Sequence, residues 1–406
     1  MKDKKILIIV VLLLVLIGLI IIAVAPFGNN GTTTTTKQET VENLELKIED
    51  ENASNLQGTD IVLTESLTIT SQGTYNLSGT IENGSITVNV GDDDKVILVL
   101  NNVSITNSNG PAIYVENADK VTIVLKEGST NNLTDGGTSE EIDGCIYSKD
   151  DLVISGKGTL NVVANNADGI VSKDDLKIIE GIINVNANDD GIRGKDSLEI
   201  KDATINVTSK QDGLKTTNDT EDDKGYMVIE NSNLTINAGD DGINVENDLE
   251  IVSGTFNITA VDDAIHANGL LQIDDGSFDI KAAEGIEATY VKINGGTINI
   301  EASDDGINAG NKSDRYSITI EINGGYITIK MGSGDTDGID SNGNLYINGG
   351  TIDVTANSPF DYDGQAQKNG GTLIVNGEET DTITNQFMGG GMQGGIQPGG
   401  MNQRMH

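Results

Sequence analysis

Tryptophan is absent from this 406-residue chain, cysteine occurs once and histidine twice. Without tryptophan no indole platform exists for a flat ligand, so ring stacking would fall to the nine tyrosines. A single cysteine, Cys145, excludes an intramolecular disulfide; its place beside Ile146 predicts an ordinary buried thiol. Two histidines and one cysteine cannot assemble a Ser/His/Asp triad or a zinc cluster. Basic residues are also scarce, 25 against 63 acidic ones for a net charge of -38, which excludes a phosphate-binding surface and hence nucleic acid as partner. Helical periodicity is missing beyond the N-terminus, and with 50 glycines long helices are not expected there. Neither an EF-hand loop nor a glycine-rich nonapeptide calcium repeat occurs.

What the chain does contain is an internal repeat. An acidic residue, a glycine or alanine and an aliphatic residue recur at Asp168, Asp190, Asp212, Asp241, Asp263, Glu284, Asp305 and Asp337, with a looser copy at Asp143. The intervals are 25, 22, 22, 29, 22, 21, 21 and 32 residues, a solenoid period with occasional insertions. Between the acids lie blocks in which apolar and polar residues alternate, such as Thr297-Ile298-Asn299-Ile300 and Leu198-Glu199-Ile200. Alternation means strand. Three short strands in about 22 residues predict an all-β fold, a right-handed parallel β-helix with three strands per coil. Inward positions stack as Ile, Val and Leu ladders, so an apolar content of 36% suffices. The outward column Asn161, Asn184, Asn206, Asn257, Asp279, Asn299 and Asp353 reads as a solvated or mutually hydrogen-bonded polar ladder. Its neighbouring threonines also admit a flat ice-binding face.

The first 25 residues form a separate unit. Lysines 2, 4 and 5 precede an apolar run from Ile6 to Ala25, long enough for a transmembrane helix with its basic flank inside and the rest of the chain exported. Ala23-Val24-Ala25 resembles a cleavage site, but Pro26 follows at once, which favours an uncleaved anchor over a removed signal. The expected organisation is then a Thr-rich spacer at 26–43, a β-rich cap with the first coils at 44–136, regular coils at 137–380, and a disordered Gly/Met/Gln tail at 381–406 that admits a soft-metal site. This places a monomer on the outer face of the membrane, or in the medium if the segment is cleaved.

Stacking concentrates the acid. Equivalent residues in adjacent coils of such a fold lie about 4.8 Å apart, and two carboxylates at that spacing repel by about 0.9 kcal/mol in water and about 3.5 kcal/mol at an effective dielectric of about 20. Doubling at Asp189-Asp190, Asp240-Asp241, Asp262-Asp263 and Asp304-Asp305, with further ligands three residues after an acid at Asn244, His266, Glu287, Asn308 and Asp340, points to cations between the rungs. Ca²⁺ suits such an oxygen-rich, forgiving set better than Mg²⁺. The expected ligands also include Asp168, Asp212, Glu284 and Asp337. The plainer alternative is that Asp-Gly only builds turns, with Asp bonding its own backbone and Gly at positive φ.

In the segment from Asn107 to Gly136 (Ala112-Ile113-Tyr114-Val115, Asn117-Ala118-Asp119-Lys120-Val121-Thr122, Leu133-Thr134-Asp135-Gly136), in the coils after it and in the tail, the chain resembles exported carbohydrate-binding domain-containing proteins, β-helices of the pectate-lyase-like superfamily. The resemblance implies Ca²⁺ along the coils and binding of cell-wall polysaccharide, cellulose or acidic glycans such as polygalacturonate. Tyr290, Tyr316, Tyr326, Tyr346 and Tyr362 are the candidate sugar contacts. Binding without catalysis is the favoured reading. A pectate-type lyase is the alternative, with Asp168, Asp189 and Asp190 on the metal and Arg193 or Lys215 as base; a structural adhesin or stalk is the other.

Overall fold

The computed structural model describes residues 57–137, 141–333 and 336–385, all within the compact unit Asn43–His406. The expected membrane segment, the spacer and all of the tail beyond residue 385 lie outside the described residues. Among the described residues there are 37 strands and no helix, hence none long and apolar enough to cross a membrane.

Pairing is parallel throughout except at the C-terminus, and each strand of the regular coils pairs with its counterpart one coil on, which makes a β-solenoid. Three faces run along it. The first carries the acidic repeat, in strands such as Asp168–Ser172, Ile192–Gly194 and Leu214–Thr216. The second holds Asp175–Ile179, Ser197–Lys201 and Tyr226–Glu230. The third holds Gly254–Thr259, Ser277–Ala282, Thr297–Ala302 and Tyr326–Met331.

Register stacks like on like. Ile170, Ile192, Leu214, Ile243, Ile265, Ile286, Ile307 and Ile339 form one inward ladder, every member fully buried. Burying each such side chain stabilises the fold by about 1.5–3 kcal/mol, and the ladder form lets a 36% apolar chain do this in every coil. Phe256 and Phe278 stack in the same way, ring centroids 4.5 Å apart and 4° from parallel. Cys145 is fully buried, as expected of it. Along the third face Asn161 donates to Asn132, Asn184 to Asn161 and Asn206 to Asn184, each at 2.8 Å, so this stretch of the polar column is the hydrogen-bonded ladder the alternation suggested. At the C-terminal end Glu378–Thr380 folds back antiparallel on Thr372–Val375, covering the third-face edge that would otherwise be open.

The plainer alternative for the Asp-Gly pairs does not hold. The glycines of the acidic repeat are not turn glycines at positive φ; that conformation belongs to others such as Gly181, Gly296 and Gly325, just ahead of third-face strands. The repeat glycines permit close approach of coils. A Cβ on Gly191 would lie 2.4 Å from the carbonyl oxygen of Gly213, and one on Gly213 would lie 2.5 Å from that of Gly242.

Candidate functional site

The acids of the repeat sit at or just before the start of first-face strands, and in five of them one carboxylate oxygen serves the coil ahead. One oxygen points along the solenoid and accepts the backbone N–H of the next acid: Asp168 from Asp190 at 3.0 Å, Asp190 from Asp212 at 3.1 Å, Asp212 from Asp241 at 3.0 Å, Asp241 from Asp263 at 2.9 Å and Asp305 from Asp337 at 3.2 Å. The acid thus bonds the backbone of the following coil, not its own. A buried N–H without an acceptor costs about 1–3 kcal/mol, so this carboxylate is structural before it is anything else.

The other oxygen faces a second column three residues on, aligned in register as Arg193, Lys215, Asn244, His266, Glu287, Asn308, Asp340 and Asp361. The character of this column changes along the axis. Arg193 bridges Asp143 and Asp168 at 2.6 and 2.5 Å, and Lys215 bridges Asp190 and Asp212 at 3.3 and 2.8 Å. Asn244 then donates to Asp212 and Asp241. His266 places Nδ1 2.8 Å from both Asp263 and Glu287; burial pulls its pKa down, but the two carboxylates push it up to about 10, so it stands as an imidazolium. Lys312 lies 2.8 Å from the other Glu287 oxygen.

Past Glu287 the column carries no cation. Asn308 spends its NH₂ on Glu284 and Glu287 at 3.0 and 3.1 Å, leaving its buried Oδ1 without a hydrogen-bond partner among the described residues. Asp340 and Asp361 follow. Burial, helped by the charges of Asp340 and Glu284, pushes Asp305 up to about 7. Burial also pushes Glu284 up to about 7, with Asn308 opposing, and Asp340 up to about 6, with Asp361 and Asp337 adding to it.

The sequence-predicted ligands therefore separate. The outer oxygens of Asp168, Asp190 and Asp212 are held by Arg193 and Lys215, which occupy the place an ion would take. Asp189 and Asp240 are half-buried and Asp262 and Asp304 exposed at the corner before the first face. Asp240, Asp241 and Asp262 bring one oxygen each within 4.8 Å of one another, as do Asp263, Glu287 and the His266 ring. Glu284, Asp305, Asn308, Asp337 and Asp340 share the coils where no cation occupies the second column. This last set offers the donor type a hard cation takes, all oxygens with one a buried acceptor otherwise unused, but its carboxylates are not among the groups whose oxygens lie within 4.8 Å of one another. A third convergent group, Asp151, Asp174 and Asp175, escaped sequence reasoning. Its signal was the repeated Ser-Lys-Asp-Asp at 148–151 and 172–175.

Two of the tyrosines are corrected. Tyr290 is 1% exposed, its hydroxyl 2.5 Å from Glu321, and Tyr346 is 5% exposed. Both lie in second-face strands whose neighbours cover them, so neither can present a ring to a polymer. Tyr316 is half-buried and held by Arg315 and Asp248. Tyr326 alone of these is openly placed, 48% exposed on the third face. Arg193 and Lys215 are locked between carboxylates: burial works against their charge, but the acids raise both above their ordinary pKa values, which makes them poor bases.

A family model described as carbohydrate-binding domain-containing protein matches residues 64–336 and 242–382. A carbohydrate-binding domain-containing protein of Acetivibrio thermocellus is 42% identical over 143 residues, covering 34% of this chain and 50% of the relative. The chain thus spans about half the length of that curated relative. Among solved structures, a polysaccharide lyase-like protein from C. thermocellum, studied as a gadolinium derivative, is 26% identical, with 80% of this chain and 91% of that one covered at a TM-score of 0.39.

Proposed function

The chain belongs to the carbohydrate-binding domain-containing protein family, and on that footing we propose that it is a surface-exposed, calcium-dependent binder of cell-wall polysaccharide, cellulose or an acidic glycan such as polygalacturonate, that does not cleave its ligand. The observation that carries the calcium dependence is the loss of cationic side chains from the second column beyond Glu287, where burial and neighbouring carboxylates raise the pKa values of Glu284, Asp305 and Asp340 and Asn308 Oδ1 lacks a partner among the described residues. Glu284, Asp305, Asn308, Asp337 and Asp340 would hold the ion. When bound, Ca²⁺ supplies positive charge that lets these acids ionise and that a uronate carboxylate can share. The clamped state of Arg193 and Lys215 favours binding over a lyase reaction. Anchoring by residues 1–25 would present the solenoid outside the cell.

Affinity electrophoresis and calorimetry of the protein on polygalacturonate and cellulose, with Ca²⁺ and with EDTA, test this reading. Binding that EDTA weakens is the expected result. No binding to either polymer with Ca²⁺ present would leave the structural adhesin as the better account.

A further inference from the structure

The third face ends in a shallow groove of about 500 Å³ that runs along the axis across the strands Gly254–Thr259, Ser277–Ala282, Thr297–Ala302 and Tyr326–Met331. Small side chains, among them Ala282 and Ala302, form its floor, and Val261, 67% exposed, stands on one wall. The opposite wall is the outward column Lys281, Glu301 and Lys330, paired in register on successive strands. In a chain with a net charge of -38, most described lysines are engaged by carboxylates or tyrosine rings. Lys281 and Lys330 are exposed and have no ion pair within 4.0 Å among the described residues, Glu301 included.

We propose that this groove is a metal-independent subsite for a linear, carboxylate-bearing polysaccharide, with Lys281 and Lys330 each receiving a sugar carboxylate. The proposal rests on the carbohydrate-binding reading and adds to it a place and a chemistry. An apolar floor beside a column that carries two ammonium groups suits such a chain, since pyranose rings are apolar on their C–H faces and charged at the rim. The two lysines lie two strands apart, about 9.6 Å along the axis. A pyranose chain held in a two-fold extended form turns alternate residues the same way, so carboxylates on every second sugar can meet successive lysines. Glu301, on the strand between them, faces the intervening sugar, whose carboxylate points away. The groove wall continues from Val261 directly into Asp262, so this subsite borders the acidic corner.

The test is binding of polygalacturonate to the full protein in EDTA at about 0.15 M salt, where repulsion from charges beyond about 8 Å is screened, with methyl-esterified polygalacturonate as the uncharged control. The wild type should retain binding to the acid form and not to the ester. Lys281→Gln and Lys330→Gln should each weaken it about tenfold, the size of a lost charged hydrogen bond, while Glu301→Gln strengthens it. Binding with Ca²⁺ but none in EDTA overturns the subsite and leaves the calcium reading standing; unchanged binding by the double lysine variant, or equal binding of the ester, overturns it as well. No binding in either condition removes the carbohydrate reading itself.

Discussion

The side chain of Asp212 accepts the backbone N–H of Asp241 at 3.0 Å while its other oxygen lies 2.8 Å from the ammonium of Lys215. One carboxylate, 1% exposed, thus closes the gap between two coils and balances a half-buried cation. The same double duty recurs at Asp168 and Asp190.

Asp212→Ala should therefore destabilise the solenoid by about 3 kcal/mol, since it leaves a buried amide without an acceptor and a cation short of a partner. Asp212→Asn keeps the acceptor oxygen and should cost less. Urea unfolding followed by circular dichroism measures both; equal midpoints for Asp212→Ala and the wild type would show that the inter-coil bond contributes nothing.

In the absence of metal, stability should fall as pH rises from about 4 to about 7. Glu284 and Asp305 are pushed to about 7 and Asp340 to about 6, against ordinary values of 4.5 and 3.8. Between those limits the folded chain keeps protons that the unfolded chain has released, so raising the pH favours unfolding. Ca²⁺ should raise the melting temperature most at pH 8, by mass action on the ionised set. A melting temperature in EDTA at low salt that neither rises on adding Ca²⁺ nor depends on pH would remove the metal site.

Asp305→Asn together with Asp340→Asn should abolish most of that calcium effect and reduce calcium-dependent polygalacturonate binding, with the β-sheet spectrum intact. Asp241→Asn with Asp263→Asn, farther from the cation-free coils, should do less. If the second pair has the larger effect, the ion sits at Asp240, Asp241 and Asp262 instead.

No unsaturated product absorbing at about 235 nm should form from polygalacturonate with Ca²⁺ at pH 7 to 10, because proton abstraction needs a deprotonated base and the raised pKa values of Arg193 and Lys215 deny one. Product that disappears in Arg193→Ala or Lys215→Ala would establish a lyase.

Tyr326→Ala should weaken cellulose binding without loss of stability, since the ring is exposed and covers no core. Tyr290→Phe should do the reverse, as its hydroxyl serves Glu321 inside the second face. Cellulose affinity that is indifferent to Tyr326 would move neutral glycans off the third face.

The repeat interval and the two-residue alternation were enough to specify coils of three parallel strands, because a solenoid places equivalent residues side by side and so writes its register into the sequence. Ile170, Ile192 and Leu214 could be aligned by counting alone. What counting could not supply was the direction of a side chain across the gap between coils. That Asp168 serves the amide of Asp190, that Gly191 is required by the carbonyl of Gly213, and that Tyr290 is sealed while Tyr326 is open are set by neighbours from other coils and faces. The same holds for the change from Arg193 and Lys215 to Asp340 and Asp361 along one column. Each residue was visible in the sequence, but the division of the acids into a neutralised half and a half without cations depends on which oxygen faces which column, and only the packed coils decide that.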